Sequence, residues 1–323
     1  KQMKKTFSIM LILAVCAGLL GGCRISVHLS RGLSSFYYDN VEKYVVGGSG
    51  ITDTVERVEI QWFSGSVNVA AHKEDIVRFS EEANRTLTND NSVHYWLDGT
   101  TLRIQFCNSG EWDLNGLKKD LMVLLPEELM LKELKLNGMS AEIEVDSIHA
   151  EELSLNTVFG DLAVTGCTIT ESADLDTTSG AVTAEVLGAL RELCMSTVSG
   201  KALVTAQRID MVDMDSTSGD LLLSVEEAPD RIDMSTVSGA VTLILPEDTG
   251  MTLRFNTVSG KLSSELPVET DGKNSVFGDG SCECRVDTTS GDLKMGRMAK
   301  KMGCRKRLDA KPYEHFLCSE HME

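Results

Sequence analysis

Few side chains in this 323-residue chain are of a type and spacing that could carry chemistry. Cys23 is the best defined. Lys4 and Lys5 precede an apolar stretch from Phe7 to Leu20, which ends in Leu20-Gly21-Gly22-Cys23. A basic start, an apolar run too short to span a bilayer, and small residues before a cysteine make an export signal of the lipoprotein type over residues 1–23. The slim backbone suits a peptidase, and the Cys23 thiol would carry a diacylglyceryl group that makes the membrane a partner. A second grouping, Cys304, His315, Cys318 and His321, has zinc-ligand chemistry, but its spacing fits no structural finger. It lies among Arg297, Lys300, Lys301, Arg305, Lys306, Arg307 and Lys311. Residues 297–323 therefore read as a flexible basic tail, free to fold back on an acidic surface or touch anionic cell-wall polymers.

Carboxylates offer two further chemistries. Asp161, Asp220, Asp292, Glu142, Glu144 and Glu185 recur at outward positions and are hard oxygen ligands suited to calcium. Ala181, Lys201, Ala240 and Lys261 interrupt the post-glycine series, so a solvated face is expected and no metal site. The single Gly278-Asp279-Gly280 phrase reads as a turn. A glycosidase would need paired carboxylates in a cleft, and a lyase would need carboxylates with calcium beside a base. Only residues 70–130 are irregular enough to wall a cleft. Their acids (Glu74, Asp75, Glu81, Glu82, Asp98) read as turn and surface residues, and His72, His94 and His149 are scattered. No catalytic residue, cofactor or enzymatic activity is predicted.

The formal net charge is −18, and without residues 1–23 the chain keeps 28 basic against 49 acidic residues, a net −21. Such a surface disfavours nucleic acid and other polyanions and favours cations or cationic partners. Seven cysteines follow Cys23, an odd number without a Cys-x-x-Cys pair, so no disulfide framework is expected. Cys284 falls in a core column and reads as a small hydrophobe.

What must position these groups is a repeat. From Leu131 onward a five-residue phrase recurs, ending in Gly160, Gly180, Gly200, Gly219, Gly239, Gly260 and Gly291: Asn-Thr-Val-Phe-Gly, Asp-Thr-Thr-Ser-Gly, Ser-Thr-Val-Ser-Gly and their variants. The glycines lie 20, 20, 19, 20, 21 and 31 residues apart. A period of this length marks stacked units, each too small to bury its own apolar face. Seven and five residues before each glycine the columns are apolar, as are the second and fourth residues after it in most copies; the Leu262/Ser264 copy is weaker. Period-2 patterning on both sides of a glycine predicts two short strands per coil, joined by a bend where positive φ or close backbone approach excludes a Cβ. Three residues before the glycine stands a Thr or Ser facing inward, placed to hydrogen-bond its counterparts or the turn backbone.

Two degenerate copies lie upstream. Leu134, Leu136, Gly138, Ala141, Ile143 and Val145 fit with Ala141 in the glycine column; Val58, Ile60, Trp62, Gly65, Val67 and Val69 fit with Trp62 in the hydroxyl column. A bulky first copy suits a terminal cap. The insert between them predicts strands at Ile76–Ser80, Ser92–Leu97, Thr101–Phe106 and Leu121–Leu125, with Asp98-Gly99 turning a hairpin. The resulting plan is an all-β solenoid. Residues 24–54 form a tether and entry, 55–130 a cap with inserted strands, 131–296 the repetitive solenoid, and 297–323 the tail.

The entry segment Val58–Val69, the hairpin Tyr95–Phe106, the strand Lys119–Pro126 and the Thr-Val-Ser-Gly phrases together resemble a bacterial family of domains of unknown function described as putative adhesins, over roughly Val55 to Met295. The resemblance implies a β-solenoid and a cell-surface or envelope role, and carries no catalytic or binding residues. Some relatives are linked to envelope stress. The expected function is thus a non-catalytic, lipid-anchored surface module binding a glycan or protein along its length. The alternative is a structural or sensory envelope lipoprotein, and a polysaccharide-acting enzyme comes third.

Overall fold

The computed structural model describes residues 37–48, 50–111, 114–266, 269–271 and 274–298. Cys23, Cys304, His315, Cys318 and His321 lie outside them. Among the described residues no helix is long and apolar enough to cross a membrane.

The strand Val182–Ser199 shows how one coil is built. Val182, Ala184 and Val186 point inward on one limb, and Leu193, Met195 and Thr197 do so on the next; all are buried. Alternation alone would give any half-buried strand. What makes a solenoid is the register, because the strand pairs in parallel with Leu162–Ser179 on one side and Ala202–Ser218 on the other. Leu175 meets Met195, which meets Met214, and Val164 meets Ala184, which meets Val204. Each residue therefore stacks on the equivalent one a repeat away, and each coil advances the stack by about 4.8 Å. The limbs before the glycines form a first sheet and the limbs after them a second. Their inward columns fill a single core running the length of the stack.

The glycines are required by proximity more than by handedness. A Cβ on Gly180 would stand 2.0 Å from the carbonyl oxygen of Gly160, and one on Gly200 would stand 1.8 Å from that of Gly180. Of the motif glycines, only Gly65 and Gly160 have φ in the positive region, +112° and +156°. Ala141 interrupts the glycine column between Gly65 and Gly160, its carbonyl facing Gly160. The inward hydroxyls bond as the column implies only toward its two ends, whereas the buried Thr197 Oγ1, Ser216 Oγ and Thr236 Oγ1 between them make no hydrogen bond among the described residues. Thr157 Oγ1 donates to Ala141 O at 3.2 Å, Thr177 Oγ1 to Gly160 O at 3.1 Å, and Thr288 Oγ1 to Thr257 Oγ1 at 2.9 Å.

One end is capped by the predicted insert. The strand Arg57–His72 is flanked by the solenoid strand Met130–Asp146 on one side. On the other lie Thr101–Gln105 and Lys119–Pro126, still in parallel register. Antiparallel strands His94–Asp98 and Val77–Ala83 then close the two limbs. Val45–Val46 and Gly50–Ile51, within the segment read as tether and entry, pair with these outermost strands. Trp62 is fully buried beneath the cap and its indole N–H donates to Lys119 O at 2.9 Å. Lys119 is buried with it, its ammonium 2.7 Å from Glu81 Oε2 and 2.9 Å from Asn91 O, and bonded to Phe106 O.

The other end departs from chain order. The coil Arg231–Leu245 does not stack on the coil that follows it in sequence. Its limbs pair with Cys282–Thr288 and Leu293–Arg297. These in turn pair with Met251–Asn256 and Leu262–Ser264. The last repeat is thus inserted between two earlier ones, and the 31-residue interval before Gly291 is the path of the chain out and back. Its outward leg forms a hairpin of Glu269–Asp271 with Asn274–Phe277, which covers the start of the Met251–Asn256 strand. The weak Leu262/Ser264 copy is the terminal coil of the stack, where less core is needed.

Candidate functional site

The outward residues of the first sheet make the most concentrated chemical surface of the solenoid. Four residues before each glycine, in spatial order, the column reads Asn156, Asp176, Ser196, Asp215, Ser235, Asp287 and Asn256. Two residues before the glycine, the same repeats give Val158, Thr178, Val198, Thr217, Val237, Thr289 and Val258. Both columns alternate strictly. In chain order they do not, because Ser235 and Asn256 would follow one another; the inserted last coil supplies the missing Asp287. The physical reason lies in charge spacing. Aspartates are kept two coils, about 10 Å, apart, and the intervening position is a neutral donor. Ser235 Oγ donates to Asp215 Oδ1, and Asn256 Nδ2 to Asp287 Oδ1 at 2.7 Å.

The neighbouring outward column breaks this rule. It runs Asp174, Cys194, Asp213, Asp233 and Arg285, so Asp213 and Asp233 are direct neighbours. Asp213, Asp215, Arg231, Asp233, Ser235, Arg285 and Asp287 line a shallow groove of about 290 Å³. Arg231 pairs with Asp233 at 2.6 Å and Arg285 with Asp287 at 2.7 Å, which leaves Asp213 and Asp215 without an arginine of their own. Desolvation pushes the Asp213 carboxyl up to about 6, with Asp215 and Asp233 adding repulsion and Arg231 opposing it. Asp176, desolvated and facing Asp174, is raised to about 7. Asp174 and Asp215 are raised as well, by desolvation first. Carboxylates crowded on a sheet face hold their protons more tightly than free ones and are suited to cationic or hydrogen-bonding ligands.

The predicted outward acids serve elsewhere. Asp161, Asp220 and Asp292 each accept the backbone N–H of the next coil, from Ala181 at 2.7 Å, Ala240 at 3.0 Å and Lys261 at 2.9 Å. They are structural acceptors at the bend, which explains why a residue lacking a carboxylate follows each one in the stack. Among the described residues no three His, Cys, Asp or Glu side chains converge to hold a metal. The insert acids are dispersed: Glu74 pairs with Arg78, Asp98 with Arg103, and Glu81 with the buried Lys119. His72 and His94 bond backbone oxygens of Ile76 and Ser92.

Cys107, Cys167, Cys282 and Cys284 are buried free thiols, with Cys284 in its core column, and burial raises all four. Cys194 is different. It stands in the outward aspartate column and is disulfide-bonded, which the cysteine count did not foresee.

With this geometry in view, the family model described as Toastrack DUF4097 matches residues 55–295. The chain belongs to the Toastrack family. It shares 13% identity with a putative cell adhesion protein from Clostridium sporogenes, across 79% of this chain and 99% of that one, with a TM-score of 0.30. A putative adhesin from Bacteroides fragilis is 11% identical over 79% of this chain and 97% of its own, with a TM-score of 0.38. A third structure, a putative adhesin from Parabacteroides merdae, is 11% identical over 82% and 100%, with a TM-score of 0.31. No curated protein matches the chain. The Toastrack match covers the cap and every coil, and stops before the basic tail.

Sequence reasoning missed the aspartate groove, although the signal was present in the alignment of repeats. Asp176, Asp215 and Asp287 begin three copies of the phrase, and Asp174, Asp213 and Asp233 share a column two residues earlier. Their adjacency depends on the order of the last coils, which the linear spacing conceals.

Proposed function

We propose that this Toastrack protein is a non-catalytic surface module, exported and held at the membrane by a lipid on Cys23, that binds a macromolecule along the first-sheet face. The observation that carries the reading is the outward lattice of that face, accessible or half-buried at every coil except at the buried Ser196 and Asp215. Seven coils present side chains at a fixed pitch with a two-coil period, and the aspartate groove lies across three of them. A flat, repeated and acidic surface favours an extended partner carrying cationic or hydrogen-bond-donating groups, whether glycan or protein. Catalysis is disfavoured by form. The groove is shallow, and its raised carboxyls owe their shifts chiefly to crowding and desolvation on a sheet, with no wall to enclose a sugar ring.

Two measurements test this. Purified residues 24–323 are offered to host matrix proteins and glycans and, in parallel, to isolated bacterial cell wall. Saturable binding to host material that survives moderate salt supports the adhesin reading. Binding to cell wall alone, or to nothing, moves the protein to the structural or sensory envelope class. Separately, Cys23→Ser should release the protein from the membrane fraction; retention would refute the lipid anchor.

A further inference from the structure

We propose that the cap end of the solenoid is a membrane-contact surface, on which residues 37–46 seat the rod against lipid headgroups. The apolar side chains single out this end. Among the described residues eleven large apolar side chains are exposed, and four of them (Tyr37, Val41, Val45 and Val46) fall within this one segment, which supplies the outermost strand of the cap. Tyr37 is 59% and Val45 51% exposed. Exposed apolar residues are ordinarily scattered singly, and a cluster of them marks an interaction site. The segment is fixed in place. Val45 and Val46 pair with Tyr95 and His94, the Tyr38 N–H donates to Ser109 Oγ at 3.0 Å, and the Gly47 N–H donates to Val93 O at 2.9 Å. The exposure is thus held by the fold.

The surrounding chemistry chooses a lipid surface as the occupant. Tyr38 and Tyr44 lie with ring centroids 4.6 Å apart, Tyr44 and Trp96 with centroids 5.7 Å apart, and the Lys43 ammonium is 4.5 Å from the Trp96 centroid. Tyr, Trp and Lys set among valines are the side chains that settle where hydrocarbon meets headgroups, with the apolar body inward and the polar tip in water. Charge fits as well. Residues 37–46 carry Asp39 and Glu42 against Lys43, so this end of an otherwise strongly acidic chain meets a membrane with little repulsion. Position adds a further argument, which rests on the lipid anchor proposed above. Tyr37 follows Cys23 by fourteen residues, at most about 50 Å of chain, so an anchored patch gains effective concentration at the bilayer. The consequence is an orientation. From Val45–Val46 the first sheet passes through eight strand spacings, about 38 Å, before it reaches Asp213 and Asp215. A rod standing on its cap thus holds the aspartate groove several Debye lengths clear of the headgroup charge.

The test tethers the mature chain, residues 24–323, to phosphatidylcholine–phosphatidylglycerol vesicles through an oligohistidine tag ahead of residue 24 and a nickel-chelating lipid. The tag replaces Cys23, so the outcome is independent of whether Cys23→Ser releases the native protein. Hydrogen–deuterium exchange is then compared on vesicles and in solution. Amides of residues 37–48 should exchange several-fold more slowly on vesicles, and those of the terminal coil, residues 251–264, should be unchanged. Val41→Ser with Val46→Ser should restore solution exchange at residues 37–48 without shifting the melting temperature. Tyr37→Ser, outside the paired strand, should weaken the protection even if the double variant disturbs strand pairing. Equal exchange in both settings, or protection along the outward columns of the first sheet, would overturn the proposal. So would protection that survives the variants, or protection that appears without vesicles as the protein is concentrated, which would make a second copy the occupant.

Discussion

Gly200→Ala puts the solenoid's spacing under direct strain. The added Cβ would lie 1.8 Å from Gly180 O and 2.6 Å from Gly180 C, so the two coils must part by more than an ångström at the bend. Two inter-coil hydrogen bonds cross there, Gly180 N–H to Ser199 O at 3.2 Å and Val182 N–H to Lys201 O at 2.8 Å. Stretching both beyond bonding distance costs about 1–3 kcal/mol each, and the displaced core adds about 1–3 kcal/mol of overpacking. The control is Gly188→Ala at the opposite bend. There φ is +74° and the nearest atom to a Cβ is 3.9 Å away, so only the left-handed backbone penalty of about 1–2 kcal/mol applies. At about 2–4 °C per kcal/mol for a domain of this size, calorimetry should show Gly200→Ala melting at least about 6 °C below the native protein and Gly188→Ala about 2–8 °C below it, with Gly200→Ala the lower of the two. The strained variant should also split its transition, because coils on either side of the defect lose their neighbour coupling. If Gly200→Ala melts no lower than Gly188→Ala, close approach is not what the glycine column provides.

Three further outcomes are expected. Asp176 and Asp213 titrate in the fold at about 7 and about 6, above their unfolded value of about 4, so the folded state binds more protons between about pH 4 and pH 7. Stability should therefore fall as pH rises through that window, and Asp176→Asn with Asp213→Asn should flatten a melting profile run from pH 5 to pH 8; an unaltered slope would refute the assignment. Glu81→Gln leaves the buried Lys119 ammonium without its counter-charge and should cost about 3–5 kcal/mol in denaturant unfolding, much of it recovered by adding Lys119→Met. Leu243→Asp, in a fully buried column, should cost at least about 4 kcal/mol. Val237→Asp, 44% exposed beside the bend, should cost under about 1 kcal/mol, and equal thermal shifts would sink the inward and outward assignment.

The fold was readable because its determinants are local. Apolar alternation about each glycine gives the limbs, Asp98-Gly99 gives the hairpin, and Trp62 in a hydroxyl column marks the cap. Each needs only a few adjacent residues. The order of the last three coils needed long-range information: nothing in the phrase around Gly291 distinguishes a terminal coil from an inserted one, except that its Asp287 restores an alternation visible only in space. Lys119 escaped notice for a different reason. A lysine reads as solvent-facing, and its burial follows from Glu81 and two backbone oxygens contributed by segments tens of residues away. The aspartate groove combines both obstacles, since its members lie on separate coils whose adjacency is set by that hidden order.

The inserted coil also bears on biogenesis. A stack assembled strictly in chain order can fold as it emerges from a ribosome or export channel, each turn docking on the finished one before it. Here the growing stack must stop at Leu245 with an uncovered end. The segment Met251–Ser264 has no partner of its own until Cys282–Arg297 arrives to sit beneath it. While the last fifty residues are still being added, an open β edge stays uncovered, a surface prone to mispairing with another chain. Completion of the fold is thereby coupled to completion of the chain, and a molecule cut short after Gly260 would lose two coils at once.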